Sequence, residues 1–161
     1  HVLDDDYYKR IEAIQFTMSH DDGKKVDDIN EADVVLLGVS RTSKTPTSIY
    51  LANRGYKTVN IPLVLEQKIP DDLKTNKKSC IIGLIADPER LSDIRRNRVA
   101  IMKDHNLKEY TDLNSIKKEV ENSKNLFKKN NWPIIDVTRR SVEETAASIL
   151  KIIEIKKNKW K

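Results

Sequence analysis

Two short runs, Val34–Val39 and Ile81–Ala86, are apolar at nearly every position. A strand with one wet face alternates apolar and polar residues. A strand that does not alternate must be covered on both faces, which is the condition of parallel sheets flanked by helices. Both runs have strand length and fall far short of the roughly 18 apolar residues that a membrane span requires. The segments around them carry helical spacing. From Asp6 to Ser19 the apolar residues are Tyr7, Ile11, Ile14 and Met18, and Gly23 offers a left-handed stop. Pro46 suits the first turn of a helix running to Arg54, and Gly55 ends it. Thr58–Val64 reads as a strand with Pro62 near its end, followed by a polar loop over 66–79. Asp87 before Pro88 opens a helix carrying Leu91, Ile94, Val99, Ile101 and Met102. Asp112 opens another, with Leu113, Ile116, Val120 and Phe127 along one side. Pro133–Val137 is a fourth strand, and Ser141 with Glu144 forms a capping box for a last helix bearing Val142, Ala146, Ile149 and Ile153. The expected fold is α/β, a mainly parallel sheet with flanking helices. Residues 1–32 are expected to supply a helix and a polar connection, and residues 33–161 the α/β domain.

At 161 residues the chain has the length of one domain, with Gly 4 and Pro 5 too few for collagen-like or low-complexity disorder. A single cysteine, Cys80, excludes an intrachain disulfide and a cysteine-based zinc cage, and fits a reducing cytosol. The net charge of +5 is uneven: residues 1–80 hold 12 basic and 13 acidic side chains, and residues 81–161 hold 18 and 12. A basic half suits anionic partners such as phosphates, while lysines on solvated helix faces account for much of the same excess. Nucleic acid is not expected, because aromatics are 6% and none interleave with basic residues in a strand. The acidic start Asp4–Tyr8 has neither the basic head nor the apolar core of a signal peptide. It suits a chain that begins inside a longer protein.

The stretch Gly38–Val39–Ser40–Arg41–Thr42–Ser43–Lys44–Thr45 follows a buried strand and precedes a helix. The phosphate loop G-x-x-x-x-G-K-[ST] has this context, and Gly38, Lys44 and Thr45 match it, with Ser43 in place of the second glycine. Loop amides and a helix N-terminus gather N–H groups around an anion. Lys44 adds a charge on the terminal phosphate, the Thr45 hydroxyl suits Mg²⁺, and Arg41 is a further anion fork. Ser43 carries a conformational cost wherever the loop needs positive φ. The alternative is a hydroxyl-rich turn that only caps a helix.

Asp87 and Asp136 each follow an apolar strand. A carboxylate there can anchor Mg²⁺ or accept a proton from an attacking hydroxyl, and the plainer readings are a helix cap for Asp87 and a turn residue for Asp136. His20–Asp21–Asp22–Gly23 brings an imidazole beside two carboxylates, or is a helix end running into a polar turn. His105 is isolated. Arg95–Arg96 and Arg139–Arg140 lie near strand ends, where a second phosphate can bind or where they are plain surface. No G-x-S-x-G elbow and no protein-kinase set of glycine-rich loop, H-R-D and D-F-G occurs.

The ordered series Asp6–Ile14, His20–Gly23, Ala32–Pro46, Tyr50–Ala52, Asn60–Val64, Gly83–Leu84, Asp87–Leu91, Ile94–Arg95, Trp132–Thr138 and Ser141–Ala147 resembles the pyruvate, phosphate dikinase regulatory protein family. That family includes the phosphoenolpyruvate synthase regulatory proteins. The resemblance covers nearly the whole chain and corresponds to the C-terminal portion of the longer family chains. It implies a cytoplasmic, bifunctional serine/threonine kinase and phosphorylase. One activity transfers the β-phosphoryl of ADP to a threonine of the dikinase, leaving AMP and inactivating the target. The other uses inorganic phosphate to remove it as pyrophosphate. The family's nucleotide site maps onto Gly38–Thr45, and Ser43 is a form the dikinase-directed branch shows. The implied roles are phosphate binding by the loop amides and Lys44, Mg²⁺ binding by Thr45 and Asp87, proton acceptance by Asp21 or Asp22, and binding of the attacking phosphate by Arg41 and Arg95. Phosphoenolpyruvate synthase as target is the alternative within the family. Outside it, the alternatives are a small-molecule phosphate-loop kinase and a nucleotide-sensing module without chemistry.

Overall fold

The computed structural model of the chain describes residues 5–20, 29–39, 41–63, 79–102 and 112–159. Its strands are β1 (Val34–Gly38), β2 (Thr58–Pro62), β3 (Cys80–Ile85) and β4 (Ile134–Asp136). They form one sheet in the order β2-β1-β3-β4, with every pairing parallel. The helices are α1 (Asp5–Ser19), α2 (Lys44–Asn53), α3 (Pro88–Met102), α4 (Leu113–Lys129) and α5 (Val142–Lys159), with a 3-10 turn at Ile29–Glu31.

The unbroken apolar runs have the expected cause. Side chains alternate across a strand, and here both faces are covered. Val34, Leu36, Ile82 and Leu84 pack with Leu51 of α2 and with Ala146, Ile149 and Ile153 of α5. Val35, Leu37, Val59, Ile61 and Ile81 pack with Ile29, Phe127 of α4 and Phe16 of α1. All five residues of β1 are buried. Gly83 is needed for this packing, because a Cβ there would overlap the ring of Phe127.

Element ends differ from the sequence expectation by a residue or two, and each shift has a local reason. α2 begins at Lys44, ahead of Pro46. The first four amides of a helix have no intrahelical partner, so a proline in that turn removes nothing the helix uses. β2 stops at Pro62, on an edge strand where a missing donor is tolerated. The polar loop over 66–79 and His105 lie outside the described residues apart from Ser79.

α1 docks at the amino-terminal end of the sheet. Glu12 Oε1 lies 2.8 Å from Lys57 Nζ, and the Thr58 amide, which opens β2, donates to Thr17 Oγ1 at 3.1 Å. Cys80 is buried at the start of β3, and burial pushes its thiol pKa above the ordinary value.

Candidate functional site

The strand order creates a switch point. From β1 the chain crosses to β2 on one side, then returns past β1 to β3 and continues outward to β4. In open parallel sheets the crevice beyond the carboxyl ends of the strands, at the place where the order reverses, is where ligands bind. The segment Gly38–Thr45 leaves β1 at this crevice, and Asp87 leaves the neighbouring β3. The register Leu37↔Gly83 and Ile85↔Asp136 brings the ends of β1, β3 and β4 to one rim.

The turn itself is tight. A Cβ on Gly38 would stand 2.7 Å from Thr42 Oγ1 and 2.9 Å from the Leu84 carbonyl oxygen, so glycine is required by close approach. Arg41 and Ser43 both hold left-handed backbone, with φ of 72° and 61°. Ser43 caps α2 without a side-chain hydrogen bond, and its carbonyl accepts from the Thr47 amide at 3.1 Å. The second glycine of the common motif is thus replaced by a residue held at positive φ, and the conformational cost foreseen for serine is present. Thr42 is fully buried and donates through Oγ1 to the Val39 carbonyl at 2.9 Å. Lys44, 5% exposed, folds back across the turn: Nζ donates to the Val39 carbonyl at 2.9 Å and to Thr42 Oγ1 at 3.4 Å. Arg41 is exposed, and Ser40 lies outside the described residues.

Two features behind the turn could not be read from the motif. Ser48, one turn into α2, donates to the Thr45 carbonyl at 2.8 Å and accepts from Asn60 Nδ2 at 3.3 Å. This ties the first turn of the helix to β2. The signal available in the sequence is a polar residue, Asn60, in the middle of an apolar strand. Thr47 Oγ1 is buried without a hydrogen-bond partner among the described residues.

Asp87 and Asp136 are brought together by Thr138. Its hydroxyl accepts from the Asp87 amide at 2.8 Å and donates to Asp136 Oδ1, which also takes the Thr138 amide at 2.9 Å. Asp87 is exposed, and its Oδ2 accepts from the Arg90 amide at 3.3 Å, the capping geometry expected before Pro88. The two carboxylates share a cleft of about 500 Å³ with Lys117, Lys118, Glu121 and Lys124 of α4.

The remaining candidates have other settings or lie outside the described residues. Arg95 is 1% exposed, and its guanidinium Nη1 lies 2.9 Å from Glu119 of α4, in the packing between α3 and α4. Arg139 and Arg140 are exposed, and Arg140 Nη1 donates to Ser148 Oγ at 2.8 Å. His20 is buried at the end of α1, stacked on Phe16, with Nδ1 donating to the Phe16 carbonyl at 2.7 Å. Its neighbour Thr17 bonds the first residue of β2, so His20 belongs to the end of the sheet opposite the turn. Asp21, Asp22 and Gly23 lie outside the described residues. Among the described residues no three His, Cys, Asp or Glu side chains cluster as a metal cage. No helix among them is long and apolar enough to cross a membrane.

The fold and the crevice define an α/β protein whose strand–turn–helix, with a buried lysine at the helix start, opens at a switch point. Comparison with known proteins narrows this class. Residues 1–150 match the model of the kinase/pyrophosphorylase family, and the chain belongs to that family. It is 64% identical over 159 residues to a protein of Pelagibacter ubique provisionally named a pyruvate, phosphate dikinase regulatory protein, covering 98% of this chain and 58% of that protein. Proteins with the same provisional name from Sinorhizobium fredii and Erythrobacter litoralis are 57% and 53% identical, covering 93% and 94% of this chain and 55% of each relative. The chain spans about half the length of the curated relatives it matches.

Proposed function

We propose that this chain carries the nucleotide-phosphate site of a regulator of pyruvate, phosphate dikinase. The reaction moves the β-phosphoryl group of ADP to a threonine hydroxyl of the dikinase. The bond between the bridging oxygen and Pβ breaks, AMP leaves with that oxygen, and the threonine proton passes to a base. In the reverse direction inorganic phosphate attacks the phosphothreonine, giving pyrophosphate and the free hydroxyl. The observation that carries this reading is Lys44, buried at the first position of α2 behind left-handed Arg41 and Ser43, at the switch point of the sheet. Left-handed residues in such a turn help gather backbone N–H groups into an anion-binding concavity. A lysine at its mouth stabilises the charge on phosphoryl oxygens during transfer. The provisional names of the relatives favour the dikinase over phosphoenolpyruvate synthase as target.

The remaining roles are part of the same reading. Gly38, Val39, Ser40, Arg41, Thr42, Ser43 and Thr45 line the phosphates with Lys44. Thr45 and Asp87 offer the hard oxygen donors that suit Mg²⁺, and the Asp136 carboxylate beside Asp87 adds to that donor set. The ion, when bound, neutralises phosphate charge. Asp87 and Asp136, carboxylates at the strand ends, are further candidates beside Asp21 and Asp22 as acceptor of the threonine proton. Arg41, exposed on the turn, holds the attacking phosphate. Arg95 supports the packing of α3 on α4 through Glu119, and its use as a phosphate ligand requires that pair to open.

The test is mass spectrometry of purified dikinase incubated with this chain and ADP. A phosphothreonine on the target, absent with Lys44→Ala, is the expected result. No transfer by a folded chain that still binds ADP would favour the second reading, a nucleotide-sensing module. That reading gains its weight from the share of the relatives' length that the chain spans.

A further inference from the structure

The cleft between α4 and the carboxyl ends of β3 and β4 has charges that the nucleotide turn does not use. Lys117, Lys118 and Lys124 line it from α4, and Ile85–Pro88 and Asp136 from the strand ends. None of the three lysines makes an ion pair or a hydrogen bond among the described residues. The carboxylates opposite are already engaged: Asp136 holds the Thr138 amide and hydroxyl, and Asp87 holds the Arg90 amide. Glu121 sits between the lysines on the same helix, and no ion pair joins it to any of them among the described residues. Three ammonium groups lining one cleft favour an anion between them.

We propose that this cleft is a second phosphoryl-binding subsite, in which Lys117, Lys118 and Lys124 hold a phosphate dianion beside the nucleotide turn. The proposal rests on the phosphoryl-transfer reading only for the identity of the neighbouring site. A volume of about 500 Å³ is within the range of small-ligand sites, and it accommodates a phosphorylated side chain with its flanking backbone as well as free phosphate. Both ligands present the same group. A lysine is a point charge suited to such an anion without a fixed fork geometry. The cleft opens on the rim that carries Asp87, at the carboxyl end of β3, the strand that pairs with β1.

The test is an amide NMR titration of the whole 161-residue chain with inorganic phosphate and, separately, with O-phosphothreonine. It is repeated on Lys44→Ala and on the combined variant Lys117→Gln, Lys118→Gln, Lys124→Gln. The expected result is movement of amides at 86–87 and 117–124, retained in Lys44→Ala. In the combined variant binding weakens at least tenfold while amide dispersion stays native. The effect should also fall with added salt. Displacement of one anion by the other assigns the cleft to a phosphorylated side chain as well as to the free ion. A response to inorganic phosphate alone assigns it to the free co-substrate. Movement confined to 38–45, no movement, or an undiminished response in the combined variant overturns the proposal. A parallel titration with ADP that moves no amide at 38–45 while the cleft response is intact would instead remove the nucleotide reading and leave this one standing.

Discussion

Ser43 shows how one side chain records a compromise between the backbone and the site. Its φ of 61° lies where a Cβ is strained, and no side-chain hydrogen bond offsets the cost. A left-handed non-glycine residue costs on the order of 1–2 kcal/mol, part of which a glycine would lose again through its more disordered unfolded state. Ser43→Gly is therefore expected to stabilise the chain by about 0.5 kcal/mol, seen as a higher urea midpoint with an unchanged slope. Gly83 makes the opposite case. Gly83→Ala drives a methyl into the Phe127 ring, and overpacking of this kind costs about 1–3 kcal/mol. Phe127→Leu in the same chain should recover part of the loss, and failure of that rescue in denaturant unfolding would mean the ring is not the obstacle. The motif around Lys44 was legible because its glycine, lysine and hydroxyl stand at fixed spacing after an apolar strand. What the motif did not contain was where the lysine points. That depends on the Val39 carbonyl and on Thr42, whose placement comes from the turn conformation rather than from residue type.

At the level of elements, caps and periodicity carried most of the information. Asp112 accepts from the Ser115 amide at 3.1 Å and opens α4 as its sequence suggests. Ser141 accepts from the Glu144 amide at 3.1 Å at the start of α5. Ser141→Ala should cost about 1 kcal/mol, read as a lower thermal midpoint. The stripe Ile116, Val120, Ser123 and Phe127 is the buried side of α4, apolar at every position but one. The docking of α1 was less legible, because long-range pairs leave no periodic trace. The hydrogen bond from Lys57 holds the Glu12 carboxyl below its ordinary pKa, and the same bond holds Lys57 above its own. For Glu12 the folded value is the lower one. Its contribution is therefore present above the ordinary value of 4.5 and is lost as pH falls through the folded value. For Lys57 the contribution is present below the ordinary 10.5 and is lost as pH rises through the raised value. The pair is exposed, so the effect is small. Thermal midpoints of the native chain and Glu12→Gln should differ slightly at neutral pH and converge in acid. A difference that persists below the carboxylate range would contradict the assignment.

Over the whole molecule, what the sequence could not supply was strand order. Each buried strand is apolar on both faces, so nothing in it tells which neighbour it takes, and a right-handed crossover can place the next strand on either side. The order β2-β1-β3-β4 is what brings the separate motifs to one rim. It sets the strand that bears Asp87 directly beside the strand that bears the turn, and it leaves His20 at the far end. The setting of Arg95 was not legible for a related reason. Its partner Glu119 is distant in sequence, and only the packing of α3 on α4 makes a buried ion pair of it. The central claim is that the turn between β1 and α2 binds the phosphates of a nucleotide. Calorimetric titration of ADP into the native chain and into Lys44→Ala tests it most directly. The account predicts one site per chain, weakened at least tenfold by the substitution while the thermal midpoint stays close to native. Absence of heat with the folded native chain, or equal affinity in the two, would contradict it.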